Sequence, residues 1–101
     1  MELTAGSRWK SVVCDTEVVI VRPPDAPRIL ACGGTAMVPV GSDAPAGSLD
    51  QALADGTQLG KRYTDEGSVV EVLCTKAGRG TLTLDGERLE LKGAKPLPSS
   101  D

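Results

Sequence analysis

The sequence predicts an all-β fold, a small antiparallel barrel or sandwich of two similar three-stranded meanders with one short helix. Three observations carry that expectation. The segment Glu17-Val18-Val19-Ile20-Val21-Arg22 has four consecutive β-branched residues, which suit a strand buried on both faces. Apolar and polar residues alternate from Thr81 to Leu91 on either side of Asp85-Gly86, a dipeptide that readily takes the positive φ of a two-residue hairpin turn. The order strand, turn, strand, Gly33-Gly34, strand, Pro39 recurs as strand, turn, strand, Asp85-Gly86, strand, Pro96. A degenerate duplication leaves such a trace.

After the strand at 17–22, Pro23, Pro24 and Pro27 mark a loop, because proline cannot donate to a ladder. Arg28 to Cys32 reads as the next strand, returned through Gly33-Gly34 by Thr35 to Val38. That register puts Leu30, Cys32, Thr35 and Met37 on one face and Ile29, Ala31, Ala36 and Val38 on the other. Both faces are mostly apolar, so each is expected to be covered, one by the second meander and the other by the short helix, the Pro-rich loops or another chain.

Residues 41–48 read as loop, and residues 48–55 as a helix of at most two turns, with Ser48 as N-cap, Gln51 completing a capping box and Gly56 as the stop. Residues 68–75 form a strand, and Lys76 to Gly80 a glycine-bearing turn. In the following hairpin the Asp85-Gly86 loop pairs Thr83 with Arg88. This sets Leu82, Leu84, Leu89 and Leu91 on the core face and Thr81, Thr83, Arg88 and Glu90 on the wet one. Residues 1–93 form a single β domain, and residues 94–101 are expected to be an extended C-terminal tail.

Composition excludes several function classes. The net charge is −3 and the aromatic residues are Trp9 and Tyr63 alone. The chain therefore has neither the concentrated cationic face nor the stacking platforms of a nucleic-acid binder. No stretch approaches the length of a membrane span, and the N-terminus lacks a signal-type apolar region, so a cytoplasmic location is expected, with its three cysteines reduced. There is no histidine, which removes the commonest general base and metal ligand.

The chemically distinctive side chains are Cys14, Cys32 and Cys74. Each sits near the end of an expected strand. If the strand ends converge, the three thiolates form a zinc site, with Asp15 or water as fourth ligand. Core packing is the more economical reading, since free cysteine behaves as a small hydrophobe. Lys76 and Arg79 flank the glycines of the 76–80 turn and form a candidate anion-binding pair. The reading is of a non-catalytic interaction module or accessory subunit that binds a protein partner or its own copies and needs no cofactor. The rival is a Cys-ligated metal protein.

Overall fold

The computed structural model describes residues 3–24, 28–43, 47–65 and 70–91. Its first half contributes β1 (Arg8–Lys10), β2 (Glu17–Arg22), β3 (Leu30–Cys32), β4 (Thr35–Ala36) and β5 (Val38–Pro39). After a 3-10 turn at Gln51–Leu53 come β6 (Arg62–Thr64), β7 (Glu71–Lys76), β8 (Leu82–Leu84), β9 (Glu87–Arg88) and β10 (Glu90–Leu91). All pairings are antiparallel. One sheet runs β10-β6-β7-β2-β1-β5 and the other β4-β3-β8-β9, and neither closes into a barrel. The expected fold class stands.

Both strand orders are palindromes when β1 to β5 are matched with β6 to β10. The repeated unit is thus five strands, not three. One constant shift in numbering carries Arg8–Lys10 onto Arg62–Thr64 and Glu17–Arg22 onto Glu71–Lys76. A shift shorter by two carries Leu30–Cys32 onto Leu82–Leu84, because the loop before β8 is that much shorter. Hydrogen bonds repeat as well. The Gly6 amide donates to the Ile20 carbonyl and the Ile20 amide to that of Ser7; in the second half Gly60 donates to Cys74, and Cys74 to Lys61. Gly6 and Gly60 share a left-handed backbone, φ 83° and 80°.

The central pairings β2·β7 and β3·β8 are each symmetric about one residue pair. These pairs are Val19 opposite Leu73 and Ala31 opposite Thr83. A pseudo-twofold axis passes through both sheets at those points.

The core lies between the sheets on that axis. Val18, Ile20, Val72 and Cys74 face inward from one sheet, and Leu30, Cys32, Leu82 and Leu84 from the other, all buried. The two aromatics occupy matched places. Trp9 Nε1 donates to Ser7 Oγ at 3.0 Å, and Tyr63 Oη accepts from the Gln58 amide at 2.9 Å. Burial thus keeps a hydrogen-bonding partner for each polar tip. Cys74 stands where the first half has Ile20, and Cys32 where the second has Leu84. Both cysteines therefore occupy aliphatic positions.

Three expectations are corrected. The strand at 17–22 is not buried on both faces: Val18 and Ile20 point inward, while Val21 is 42% exposed, because only one face of each sheet meets the other. The short helix is a single 3-10 turn. Its cap is Asp50, whose Oδ1 accepts from the Ala52 amide at 2.9 Å, rather than Ser48. So short a segment gains too few hydrogen bonds to propagate as α-helix. The hairpin at 81–91 has the expected register, Thr83 opposite Arg88, with Asp85 and Gly86 at φ 51° and 89°. Its Thr81 and Thr83, however, are buried. The expected tail at 94–101 lies outside the described residues, as do Ser68 and Val69 of the strand expected at 68–75.

Candidate functional site

The loop between β1 and β2 is shaped by Ser11, whose Oγ accepts from the amides of Val13 and Cys14 at 3.1 and 3.2 Å. The Cys14 thiol donates to the same Oγ at 3.4 Å, and once the thiol ionises the Ser11 hydroxyl proton is free to turn to it. Thr16 Oγ1 lies 3.3 Å from the same sulfur and 2.9 Å from Thr57 Oγ1. Thr57 Oγ1 in turn accepts from the Gly78 amide at 3.0 Å. The Thr57 hydroxyl also lies 3.4 Å from the Gly78 carbonyl, to which it donates, so Thr57 ties Thr16 and the sulfur to the backbone of the 76–80 turn. The Gly80 amide donates to the same Sγ at 3.3 Å. Burial pushes the Cys14 thiol up, but the hydrogen bonds from Ser11, Thr16 and the Gly80 amide outweigh it and bring its pKa to about 7.

Cys32 Sγ lies 3.7 Å from Cys14 Sγ. It is fully buried in β3, and burial first, with the neighbouring Cys14 adding to it, pushes its thiol up to about 12. The two sulfurs are therefore unlike: one is half-buried and readily ionised, the other enclosed and protonated.

Gly78 and Gly80 make this packing feasible. A Cβ on Gly78 would run into Thr16 Oγ1 and the Thr16 amide nitrogen and stand 3.0 Å from Cys14 Sγ. One on Gly80 would stand 2.8 Å from Cys32 Sγ. These glycines let the loop backbone lie against the sulfurs. The Gly78 amide donates to Thr57 Oγ1 and the Gly80 amide to Cys14 Sγ, while Lys76 and Arg79 are exposed. The anion-binding reading of Lys76 and Arg79 drew on free amides in this turn; those of Gly78 and Gly80 are engaged within the chain.

The third cysteine does not join the pair. Cys74 Sγ donates to the Lys76 carbonyl at 3.3 Å, and the residue is buried opposite Val18. Among the described residues no three Cys, Asp or Glu side chains gather into a group able to hold a metal ion. The expected Cys14, Cys32, Cys74 zinc site is thus not assembled: two of its thiols meet and the third faces elsewhere along β7.

A second feature lies on the 29–38 hairpin. Leu3, Trp9, Arg28, Ile29, Leu30, Ala36 and Met37 line a groove of about 180 Å³ at the open end of the first half. Ile29, at its rim, is 62% exposed. The matched positions in the second half include Thr81 for Ile29 and Arg88 for Ala36, and there the chain covers its own surface. The Leu53 carbonyl accepts from the Thr81 amide at 2.8 Å, and the Asp55 amide donates to Thr81 Oγ1 at 2.9 Å. Arg88 donates to the Ala52 carbonyl at 2.7 Å and pairs with Asp55 at 3.4 Å. One signal in the sequence pointed here: both faces of the 29–38 hairpin are apolar.

No described helix is long and apolar enough to cross a membrane. Comparison with known protein families, curated proteins and solved structures finds no match, so the functional reading rests on these residues alone.

Proposed function

We propose that this chain is a non-catalytic interaction module that takes an extended, aliphatic segment of a partner protein into the groove beside β1, β3 and β4. The supporting observation is the difference between the halves. The surface around Thr81 and Arg88 is crossed by residues 52–55 of the same chain, while its counterpart around Ile29 and Ala36 is open. Residues 52–55 cover this surface in the second copy of the unit; among the described residues no segment covers it in the first, and a partner's segment would fit there.

The lining sets the chemistry of that partner. Leu3, Trp9, Leu30 and Met37 are buried and apolar, and the rim residues Ile29 and Ala36 are exposed. Fully burying an isoleucine contributes about 1.5–3 kcal/mol, most of which Ile29 forgoes in the free chain. The Ile29 amide is already taken by Asp85 Oδ1 at 2.9 Å, whereas Thr81, its counterpart, uses its amide to hold the covering segment. A guest in the open groove therefore docks through aliphatic side chains rather than through that backbone bond. Arg28, paired with Asp85 at 3.3 Å on the rim, supplies the nearby cation.

Selection of a displayed random-peptide library on the intact protein tests this reading. Peptides enriched on the wild type should share an aliphatic residue and should lose binding to Ile29→Asp, which keeps its fold because the residue is exposed. Leu30→Asp, by contrast, should unfold the protein. Absence of any peptide that prefers the wild type over folded Ile29→Asp would overturn the groove as the binding surface.

A further inference from the structure

We propose that Cys14 and Cys32 are a thiol-oxidation site that closes into a reversible intramolecular disulfide when a hydroperoxide reaches Cys14. This goes beyond the groove and does not depend on it. Several features converge on the two sulfurs. They lie 3.7 Å apart with no atom needed between them, and closure to a bond of about 2.05 Å asks only for a small approach. Cys14 sits in the loop between β1 and β2, outside any ladder, and is partly open to solvent, while Cys32 is fixed in β3 and enclosed. The Gly80 amide donates to the Cys14 sulfur, and the Ser11 and Thr16 hydroxyls, which accept from the thiol, lie within reach to donate to it once it ionises. That is the environment a thiolate needs and an inert core cysteine lacks. The glycines at 78 and 80 press the loop backbone onto both sulfurs.

The chemistry balances in two steps. The Cys14 thiolate attacks the terminal oxygen of the hydroperoxide. An S–O bond forms and the O–O bond breaks; sulfur is oxidised to the sulfenic acid and the peroxide is reduced to an alkoxide (hydroxide for hydrogen peroxide), which takes a proton from solvent. Cys32 sulfur then attacks Cys14 sulfur. The S–S bond forms, the S–O bond breaks, and hydroxide leaves with the Cys32 proton as water. Thiol reagents reverse the product, returning both cysteines to the reduced state. Cys74, buried and turned to the Lys76 carbonyl, stays out.

The test treats the reduced full chain with hydrogen peroxide, then counts free thiols and maps disulfides by mass spectrometry. The expected result is a mass lower by two hydrogens and a Cys14–Cys32 link within one chain. The titre of free thiols should fall from the three cysteines present to Cys74 alone, and dithiothreitol should restore it. Cys74→Ala should link as the wild type does. Cys32→Ser should stop at a Cys14 sulfenic acid that dimedone traps, with circular dichroism reporting its fold. If the peroxide leaves all three thiols free, joins separate chains, or links Cys74, the proposal fails. In each case the peptide selection in the groove would be untouched.

Discussion

At the scale of single residues, the sulfur of Cys14 shows how little of a site a sequence states. The partners that tune it are Ser11, Thr16, Thr57 and Gly80, brought from three separate stretches. Only Ser11 and Thr16 are close enough in sequence to suggest a link. The 76–80 turn read as an anion loop because glycines between cations commonly present outward amides; here the Gly80 amide serves the sulfur and the Gly78 amide serves Thr57. Alkylation of the reduced protein by iodoacetamide checks the consequence. The fast-reacting thiol should be Cys14, its rate rising through a midpoint near pH 7, with Cys32 and Cys74 protected. Thr16→Val removes a donor and should move that midpoint upward. Stability follows the same linkage. Because the folded thiol ionises below its ordinary value of 9.0, the reduced protein should gain stability as pH rises from about 7 toward 9. Above pH 9 the raised Cys32 acts in the opposite sense, since only the unfolded chain ionises that thiol freely. A midpoint near 9 for Cys14, unmoved by Thr16→Val, would remove the donor account.

At the scale of elements, the hairpin at 81–91 was the most legible part of the chain. Turn chemistry and leucine alternation both fix one register, and β8 and β9 adopt it. What the alternation could not show is that its second face is also sheltered. Thr81 accepts from the Asp55 amide and donates its own amide to Leu53, so a segment distant in sequence covers what reads locally as a wet face. Leu82→Ala and Leu89→Ala should each destabilise by about 2–4 kcal/mol as core truncations. Thr81→Ala should cost about 1 kcal/mol through the lost bond to Asp55, more than an exposed threonine would. Denaturant titration of the three variants checks the ranking. A silent Thr81→Ala would mean that the 52–55 segment does not hold the hairpin. The same segment explains the misread helix: the Leu53 and Ala52 carbonyls accept from the Thr81 amide and the Arg88 side chain, not from later amides of a continuing helix.

At the scale of the whole molecule, duplication was visible only as punctuation, the Gly33-Gly34 and Asp85-Gly86 turns. The five-strand unit was not, because β1, β5, β6 and β10 are two or three residues long and carry too little pattern to be found. Three dimensions supply the rest: one axis relates the sheets, the aromatics and the loop hydrogen bonds. That symmetry turns an open groove into a statement about function, since the chain shows how it covers the matching surface. The most direct measurement grafts residues 49–56 in front of Leu3, replacing Met1 and Glu2, so that Gly56 of the copy falls where the numbering shift puts it. Tethering raises the local concentration of the segment far above that of a free peptide. If the account holds, NMR of the grafted protein will show contacts from the added leucines to the methyl groups of Ile29 and Ala36, and selected peptides will no longer bind. A folded graft whose added residues keep random-coil shifts, with Ile29 and Ala36 unchanged and peptide binding intact, would contradict it.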